Sequence, residues 1–219
     1  MLSLTEENYL KAIYHLSSGD SKSVTTNDLA EEMKTKAASV TDMIKKLSAK
    51  DLVKHERYYG VNITSKGKLQ ALQIIRRHRL WETFLVQKLG FTWDEVHEVA
   101  EQLEHIQSPH LIDKLDEYLG FPKTDPHGDP IPDQFGKLKA EPQVSLDKVK
   151  PGTKGVIVSV KDSDPNLLKY LDKIGATPGK KIEVIGREDY DESLEIALEK
   201  KKFFVSREVS QNIMVGLKA

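Results

Sequence analysis

The sequence predicts an α+β protein of several domains, with a winged helix-turn-helix first, a helical middle part and a small β-barrel last. Three observations support this prediction. Amphipathic helical periodicity dominates up to residue 120, a proline-rich stretch follows, and short alternating strands occupy the remainder. A chain of 219 residues is long enough for two or three small domains. The predicted segments are 1–64, 65–120, 121–142 and 143–219.

Composition narrows the class of protein. The chain contains no cysteine, so disulfides and cysteine-ligated zinc or iron–sulfur sites are excluded. A hydrophobic fraction of 38% and a charged fraction of 31% suit a soluble globular protein with its own core. The longest apolar runs are too short to span a bilayer, and the N-terminus lacks a signal-peptide pattern. We therefore expect a cytoplasmic protein with no membrane partner.

Charged residues are distributed unevenly along the chain. The net charge is −1, but residues 1–80 contain fourteen Lys or Arg and nine Asp or Glu, a balance of +5. Residues 81–219 therefore carry −6. A basic N-terminal part and an acidic remainder are typical of a nucleic-acid binder with a separate cation-binding or regulatory part.

Three short helices and a hairpin are predicted at the N-terminus. A capping box of Ser3 and Glu6 opens the first helix. Two further short helices follow, separated by a turn near Thr35, and then a strand–turn–strand segment in which Gly60 can adopt a positive φ. This order predicts a winged helix-turn-helix whose third helix enters the major groove with its N-terminal residues leading. The alternative is a small helical domain with no DNA role.

DNA contacts are expected from the third helix, its approach and the hairpin tip. The alanines that begin this helix allow close approach and a thymine-methyl contact, whereas Lys45 lies further along and is expected to contact phosphate. The hairpin tip suits the sugar-phosphate backbone. The residues predicted to bind double-stranded DNA are Thr26, Lys36, Ala37, Ala38, Ser39, Thr41, Asp42, Lys45, Arg57 and Tyr58.

A helix predicted over 93–107 has one face that suits a divalent cation. Glu101, Glu104 and His105 stand at i, i+3 and i+4, so their side chains leave the same face, with His97 one turn earlier. Apolar residues group on the opposite side. A solvated polar face is the alternative interpretation.

Two further helices flank this segment. A long helix predicted over 65–89 carries His78 and Glu82 at i, i+4, and an amphipathic helix follows up to Gly120. Three consecutive helices with this much apolar surface predict a second core and a dimer interface.

A proline-stiffened connector and a run of short strands complete the chain. The connector carries Asp125, His127 and Asp129. Beyond it, five short strands with Pro-Gly turns and one small helix predict a small β-barrel. The strands are expected at 155–160, 181–185, 193–198, 202–205 and 213–215, and the helix at 165–172.

Together these motifs resemble the diphtheria toxin repressor and manganese transport regulator family of metal-dependent winged-helix repressors. The resemblance rests on Arg77-His78-Arg79-Leu80, on Leu103-Glu104-His105 and on Pro126-His127-Gly128-Asp129-Pro130-Ile131-Pro132, and it covers essentially the whole chain. It implies a helical domain for dimerisation and metal binding, followed by an SH3-like (FeoA-type) β-barrel. It also implies a homodimer that binds palindromic operator DNA when loaded with divalent metal and represses metal-uptake genes.

The resemblance further implies two metal sites. Asn8 occupies the place of a methionine or aspartate ligand, and Lys11 replaces what can be a carboxylate. The primary site is expected to contain Asn8, His78, Glu101, Glu104 and His105. The ancillary site is expected to draw on Glu82, His97, Asp125, His127 and Asp164.

Ligand hardness favours manganese. In the family that the chain resembles, iron-responsive members have a soft sulfur at the position of Glu101. Carboxylates, imidazole and an amide oxygen form an oxygen-rich site, which suits Mn²⁺ better than ions that prefer softer ligands. An Fe²⁺-responsive repressor is the alternative, because affinity for such a site rises from Mn²⁺ to Fe²⁺.

Two other functions compete with a repressor. A metallohydrolase could use the same cluster, but Glu-x-x-Glu-His is not the His-Glu-x-x-His motif, and no glycine-rich phosphate loop or nucleophile elbow is present. A metal-independent winged-helix protein could use its barrel to bind another protein. The sequence favours a protein that is not an enzyme.

Overall fold

The computed structural model describes residues 2–17, 22–56, 59–139, 141–199 and 201–217. Two compact units account for the chain. The first unit comprises Met1–His78, Leu103–Gln107 and Pro132–Lys137, and the second comprises Arg79–Gln102, Ser108–Ile131 and Leu138–Ala219.

The first unit contains the predicted winged helix-turn-helix. Ser3 and Glu6 form the expected capping box at the start of the first helix, and Thr25 forms a second one with Asp28. The elements, in order, are α1 (Leu4–Leu16), α2 (Thr26–Glu32), α3 (Ala37–Ala49), β1 (Val53–Glu56), β2 (Gly60–Ile63) and the first half of α4 (Ser65–Leu89).

One apolar cluster fixes the three short helices of this unit. Leu10 and Ile13 of α1 belong to the same buried cluster as Ile44 and Leu47 of α3. Each of these side chains is removed from water, so the orientation of α3 depends on the position of α1.

The wing is an antiparallel hairpin of β1 and β2. Gly60 has the predicted positive φ, +94°, and a Cβ built on it would lie 2.5 Å from the Val24 carbonyl oxygen. That oxygen accepts a hydrogen bond from the Val61 N–H at 2.8 Å. Any larger residue at position 60 would therefore disturb the edge of the wing.

In the second unit, α4 continues into α5 (Val96–Leu103) and α6 (Pro109–Tyr118). The prediction of a helix over 93–107 was wrong at both ends, because only eight residues are helical. Trp93 is buried in the core of the barrel, which requires a turn before the helix. At the other end, the Glu104 carbonyl accepts a hydrogen bond from Arg77 and the Ile106 N–H bonds to Leu103 at 3.1 Å, so the helical pattern stops.

The barrel consists of one six-stranded antiparallel sheet in the order β3-β8-β4-β5-β6-β7. The five predicted strands are present with bounds shifted by a few residues, and the predicted helix extends to Ile174. The prediction missed the short β3 and the helix α8. The elements are β3 (Val144–Ser145), β4 (Lys154–Val160), α7 (Pro165–Ile174), β5 (Lys181–Arg187), β6 (Leu194–Leu198), β7 (Lys201–Val205), α8 (Arg207–Asn212) and β8 (Ile213–Leu217).

Two apolar clusters stabilise this second unit. The barrel has its own core, which includes Ile157, Leu168 and Ile196. A smaller cluster joins Leu80 of α4 to Ile112 of α6. Among the described residues, none of the helices has the length and apolar character needed to cross a membrane.

Candidate functional site

A buried carboxylate, Glu104, lies at the centre of a charged cluster in the first unit. Its side chain is 0% exposed. The Lys11 ammonium group lies 2.7 Å from Oε1 and 3.0 Å from Oε2, and His78 Nδ1 lies 2.6 Å from Oε2. Because an ionised carboxylate can only accept, His78 donates from Nδ1 and Nε2 is the ring nitrogen left for another contact.

Glu7 on α1 is the second buried carboxylate of this cluster. Its Oε1 accepts from Arg77 Nη2 at 2.8 Å and from Gln107 Nε2 at 3.1 Å. Its Oε2 lies 2.7 Å from His105 Nδ1, and His105 Nε2 lies 3.9 Å from a Glu104 oxygen. His105 therefore lies between the two carboxylates.

Asn8 supplies a polar atom that needs a partner. Its Oδ1 is buried and, among the described residues, accepts no hydrogen bond. A buried amide oxygen without a partner costs about 1–3 kcal/mol, so such an atom points to a ligand. The prediction placed Asn8 in the primary metal site, and the structure places its side chain on the same helix as Glu7 and Lys11.

The charges of this cluster balance without an added ion, since Lys11 and Arg77 face the carboxylates of Glu7 and Glu104. Burial alone would raise the pKa of Glu104, but the hydrogen bond from His78 and the charge of Lys11 outweigh it, so this pKa lies below its ordinary value. The carboxyl group is therefore ionised at neutral pH, as a metal ligand must be.

The donor set of the cluster fits a divalent cation. Two carboxylates, two imidazoles and an amide oxygen are hard or borderline ligands. The carboxylates and imidazoles are linked pairwise by distances of 2.6 to 3.9 Å, and the Asn8 amide oxygen is buried. The residues that could hold an ion here are Glu7, Asn8, His78, Glu104 and His105. Glu101, which was also predicted for the primary site, belongs to the second unit, and its role as a ligand stays a prediction.

A second cluster lies within the second unit. Ligand atoms of Glu82, Asp125 and His127 all lie within 4.8 Å of one another, and all three residues are buried. His127 Nδ1 lies 3.7 Å from Glu82 Oε2. Arg79 Nε lies 3.4 Å from Asp125 Oδ2, which partly neutralises two buried carboxylates.

In this second cluster the close approach of buried carboxylates shifts the pKa values of Asp125 and His127. Burial, together with the nearby Glu82 carboxylate, raises the pKa of Asp125 to about 7, against the lowering effect of Arg79. Burial lowers the pKa of His127, but the Glu82 and Asp125 carboxylates outweigh it and the net shift is upward. A cation bound here would relieve the repulsion between the carboxylates.

The remaining predicted ligands of the second unit lie at different distances from this cluster. His97 is half-exposed, with Nδ1 3.5 Å from Glu82 Oε1 and Nε2 3.8 Å from Glu101 Oε1. Asp164 is the N-cap of α7, where Oδ1 accepts from the backbone of Asn166 and Leu167, and it is not among the three clustered ligands. Its role as a ligand stays a prediction.

Three family models match the chain in sequence order. The model for the N-terminal DNA-binding domain of the iron-dependent repressors matches residues 1–61. The model for their metal-binding and dimerisation domain matches residues 64–133, and the FeoA domain model matches residues 144–217.

Solved structures and a curated relative agree with these models. A manganese-dependent transcriptional repressor in complex with manganese has 35% identity and a TM-score of 0.91, over 97% of this chain and 100% of that chain. The chain belongs to the iron- and manganese-dependent repressor family that includes the diphtheria toxin repressor. ScaR with bound Zn²⁺ has 33% identity and a TM-score of 0.81, over 97% and 99% of the two chains. The iron-dependent repressor IdeR of Mycobacterium leprae is 29% identical over 195 residues, which cover 82% of this chain and 83% of that protein.

Membership in this family confirms the predicted fold class and the prediction of a metal-dependent DNA-binding repressor. These relatives are transcriptional repressors, so the protein is not an enzyme, as predicted. The metals named for the related structures and relatives include manganese, zinc, cadmium and iron. The comparison therefore establishes metal dependence without fixing one metal.

Several residues predicted to contact DNA lie on the N-terminal half of α3. Ala37, Ala38, Ser39 and Asp42 are exposed there. The Thr41 hydroxyl donates to the Ala37 carbonyl at 2.9 Å, so its hydrogen is used in a hydrogen bond within α3.

The other described residues predicted to contact DNA belong to α3, to its N-cap and to α2. Lys45 is exposed and its ammonium group lies 3.1 Å from the Asp42 carboxylate. Lys36 is the exposed N-cap of α3, and Thr26 is the half-buried first residue of α2. Arg57 and Tyr58 lie outside the described residues.

Sequence reasoning missed three residues of these sites. Glu7 was passed over because Asn8 occupies the family position, although the adjacent residue contributes two buried carboxylate oxygens. Arg77 was treated only as part of a motif. Trp93 was absent from both predicted sites. The available signal was a large apolar side chain next to Asp94 and Glu95, which indicates a buried contact at the start of the predicted helix.

Proposed function

We propose that this protein is a Mn²⁺-responsive repressor, a homodimer that binds operator DNA when loaded with metal and controls metal-uptake genes. The observation that carries the proposal is the donor set in the first unit. Glu7, Glu104 and Asn8 offer hard oxygen atoms, His78 and His105 offer imidazole nitrogens, and the chain has no thiol. Such a set favours Mn²⁺ through ligand type and geometry rather than through affinity alone.

The positions of the ligands also suggest how metal binding changes the affinity for DNA. When bound, the metal supplies positive charge that holds several oxygen ligands together. Asn8 and Glu7 belong to α1, whereas Glu104 and His105 belong to the segment Leu103–Gln107 of the same unit. Ligands from both parts fix the position of α1.

The effect on α3 follows from packing. Leu10 of α1 shares a buried cluster with Ile44 and Leu47 of α3. Because a close-packed core transmits displacements rather than absorbing them, a fixed α1 holds the recognition helix in one orientation. The free energy of metal binding is thereby coupled to the free energy of DNA binding.

A homodimer is supported by exposed apolar side chains in the helical part of the second unit. Tyr118 is 63% exposed and Phe121 is 57% exposed, and both belong to the stretch matched by the metal-binding and dimerisation model. A palindromic operator requires two copies of α3, which a dimer provides.

An Fe²⁺-responsive repressor is the second candidate. The observation that favours it is the similarity to the iron-dependent repressor of Mycobacterium leprae. Fe²⁺ also binds a mixed nitrogen and oxygen site more tightly than Mn²⁺ does. The two candidates differ in which metal activates DNA binding once the site is filled.

The test is DNA binding by the full-length protein at equal metal occupancy. Operator fragments are selected from a random library with Mn²⁺-loaded protein and with Fe²⁺-loaded protein, and DNA affinity is then measured against buffered free Mn²⁺, anaerobic Fe²⁺ and Zn²⁺. We expect Mn²⁺ to give the tightest DNA binding at equal occupancy. Equal activation by Fe²⁺ would support the iron candidate, and equal binding in a chelator would exclude a metal switch.

A further inference from the structure

Trp93 is a residue of the turn before α5 that is buried in the barrel core. It is 8% exposed and belongs to the same buried cluster as Leu168 and Leu171 of α7. Its indole Nε1 donates to Asp172 Oδ2 on that helix at 2.8 Å. A large aromatic side chain with its N–H satisfied is an anchor between this turn and α7.

The same tryptophan holds His127 of the buried cluster of Glu82, Asp125 and His127. The two rings are stacked, with centroids 5.8 Å apart and an interplanar angle of 24°. His127 Nε2 lies 2.8 Å from the Trp93 carbonyl oxygen. Because a carbonyl only accepts, His127 donates from Nε2, and Nδ1 is left facing Glu82 Oε2, 3.7 Å away.

This arrangement is the one that orients a metal-ligating histidine. Such histidines donate the second ring N–H to a carbonyl or carboxylate, which fixes the tautomer and the ring plane. Here the Trp93 carbonyl accepts that hydrogen bond, while the Trp93 indole restricts the ring from one face.

The barrel touches the cluster at a second point. The Val160 N–H of β4 donates to the His127 carbonyl at 2.9 Å. At the next residue, Gly128, φ is +89° and a Cβ would lie 1.9 Å from the Val158 carbonyl oxygen. The loop that carries His127 is therefore packed against β4 by its backbone, whereas Asp164 of the barrel caps α7.

We infer that Trp93 is a positioning residue that couples cation binding at Glu82, Asp125 and His127 to the packing of the barrel. The inference rests on the proposed function only in taking this cluster to bind a divalent metal. Coupling is reciprocal. Mn²⁺ in the cluster stabilises the barrel, and loosening the Trp93 anchor weakens the cluster's affinity for Mn²⁺.

The test uses the full-length protein with Trp93 as its single tryptophan. Trp81→Phe provides this background, and it removes an indole N–H that is buried without a partner among the described residues. Mn²⁺ is titrated while Trp93 emission is followed, because a paramagnetic ion close to the stacked His127 quenches it. Quenching that disappears in Glu82→Gln identifies the signal with this cluster.

Two substitutions on α7 distinguish the positioning of Trp93 from a general effect of changing a charged residue on this helix. Asp172→Ala removes the acceptor of the Trp93 indole at an exposed position. Lys169→Ala is the matched control. Lys169 lies on the same helix as Asp172, and its substitution breaks an ion pair with Asp94, the residue next to Trp93. We expect Asp172→Ala to weaken Mn²⁺ binding at the cluster about 10- to 100-fold and to lower the metal-induced rise in the barrel's urea midpoint, and Lys169→Ala to change neither.

Two results would overturn the inference. One is native Mn²⁺ affinity at the cluster in Asp172→Ala, which would make Trp93 a packing residue only. The other is an absence of Glu82-dependent quenching at any Mn²⁺ concentration, even if DNA binding remains metal-dependent. Conversely, intact coupling with DNA binding that ignores metal would refute the proposed function and leave this inference standing.

Discussion

The ammonium group of Lys11 lies 2.7 and 3.0 Å from the two carboxylate oxygens of Glu104, which is fully buried. A lysine of α1 therefore occupies the position next to Glu104 that a cation would take. A divalent ion that binds Glu104 has to displace this ammonium group, so the ion pair competes with the metal.

Lys11→Met should raise the affinity for Mn²⁺ by at least about tenfold, the change that corresponds to removing about 1.4 kcal/mol of competing interaction. The metal-free protein should unfold at a lower temperature, because Glu104 loses a buried partner. Calorimetric titration and thermal unfolding measure the two effects.

Lys50→Met is the matched control for this prediction. Lys50 contacts both oxygens of Glu6 at 2.7 and 2.8 Å, so it makes the same type of ion pair with the same helix, outside the metal-binding cluster. Unchanged Mn²⁺ affinity in Lys11→Met, or an equal rise in Lys50→Met, would contradict competition at Glu104.

His105→Ala should abolish metal-dependent DNA binding while the protein stays folded. His105 lies between Glu7 and Glu104, and its loss removes a nitrogen ligand from the proposed metal site. DNA binding with and without Mn²⁺, together with circular dichroism, checks this. His110→Ala, on the first turn of α6, is a control that should behave as the native protein does.

Lys45→Ala should weaken specific and non-specific DNA binding alike and reduce the salt slope by about one unit, because the ammonium group is expected to contact phosphate. In the free protein this group is paired with Asp42 at 3.1 Å. Asp42→Ala should therefore strengthen non-specific binding. Loss of affinity confined to one base pair of the operator would instead assign Lys45 to base recognition.

Glu101 is a primary-site ligand predicted from the sequence. If it binds the metal, Glu101→Cys should shift the metal response toward Fe²⁺, Co²⁺ or Zn²⁺ relative to Mn²⁺, because a thiolate is a softer ligand than a carboxylate. The side chain of Glu101 is one-third exposed, so the fold should tolerate the change. The measurement is DNA binding at a series of buffered free metal concentrations. An unchanged order of metals would show that Glu101 is not a ligand of the activating metal.

Local signals in the sequence were sufficient for most elements. Capping boxes at Ser3 and Thr25, and the positive φ of Gly60, are properties of a few adjacent residues, and the structure shows each of them. The helix predicted over 93–107 failed because its ends depend on contacts with distant residues. The helical periodicity of the sequence extends over 93–107, but contacts with distant residues end the helix earlier on both sides.

The sequence by itself determined the element order, the absence of thiol ligands and the presence of histidines and carboxylates at helical spacing. Only the tertiary structure decided which groups meet. Glu104 pairs with Lys11 across 93 positions of sequence, and Trp93 bonds to Asp172 across 79 positions. Such contacts follow from the packing of whole elements, since the chain between them can place its ends at many separations until the apolar cores fix one.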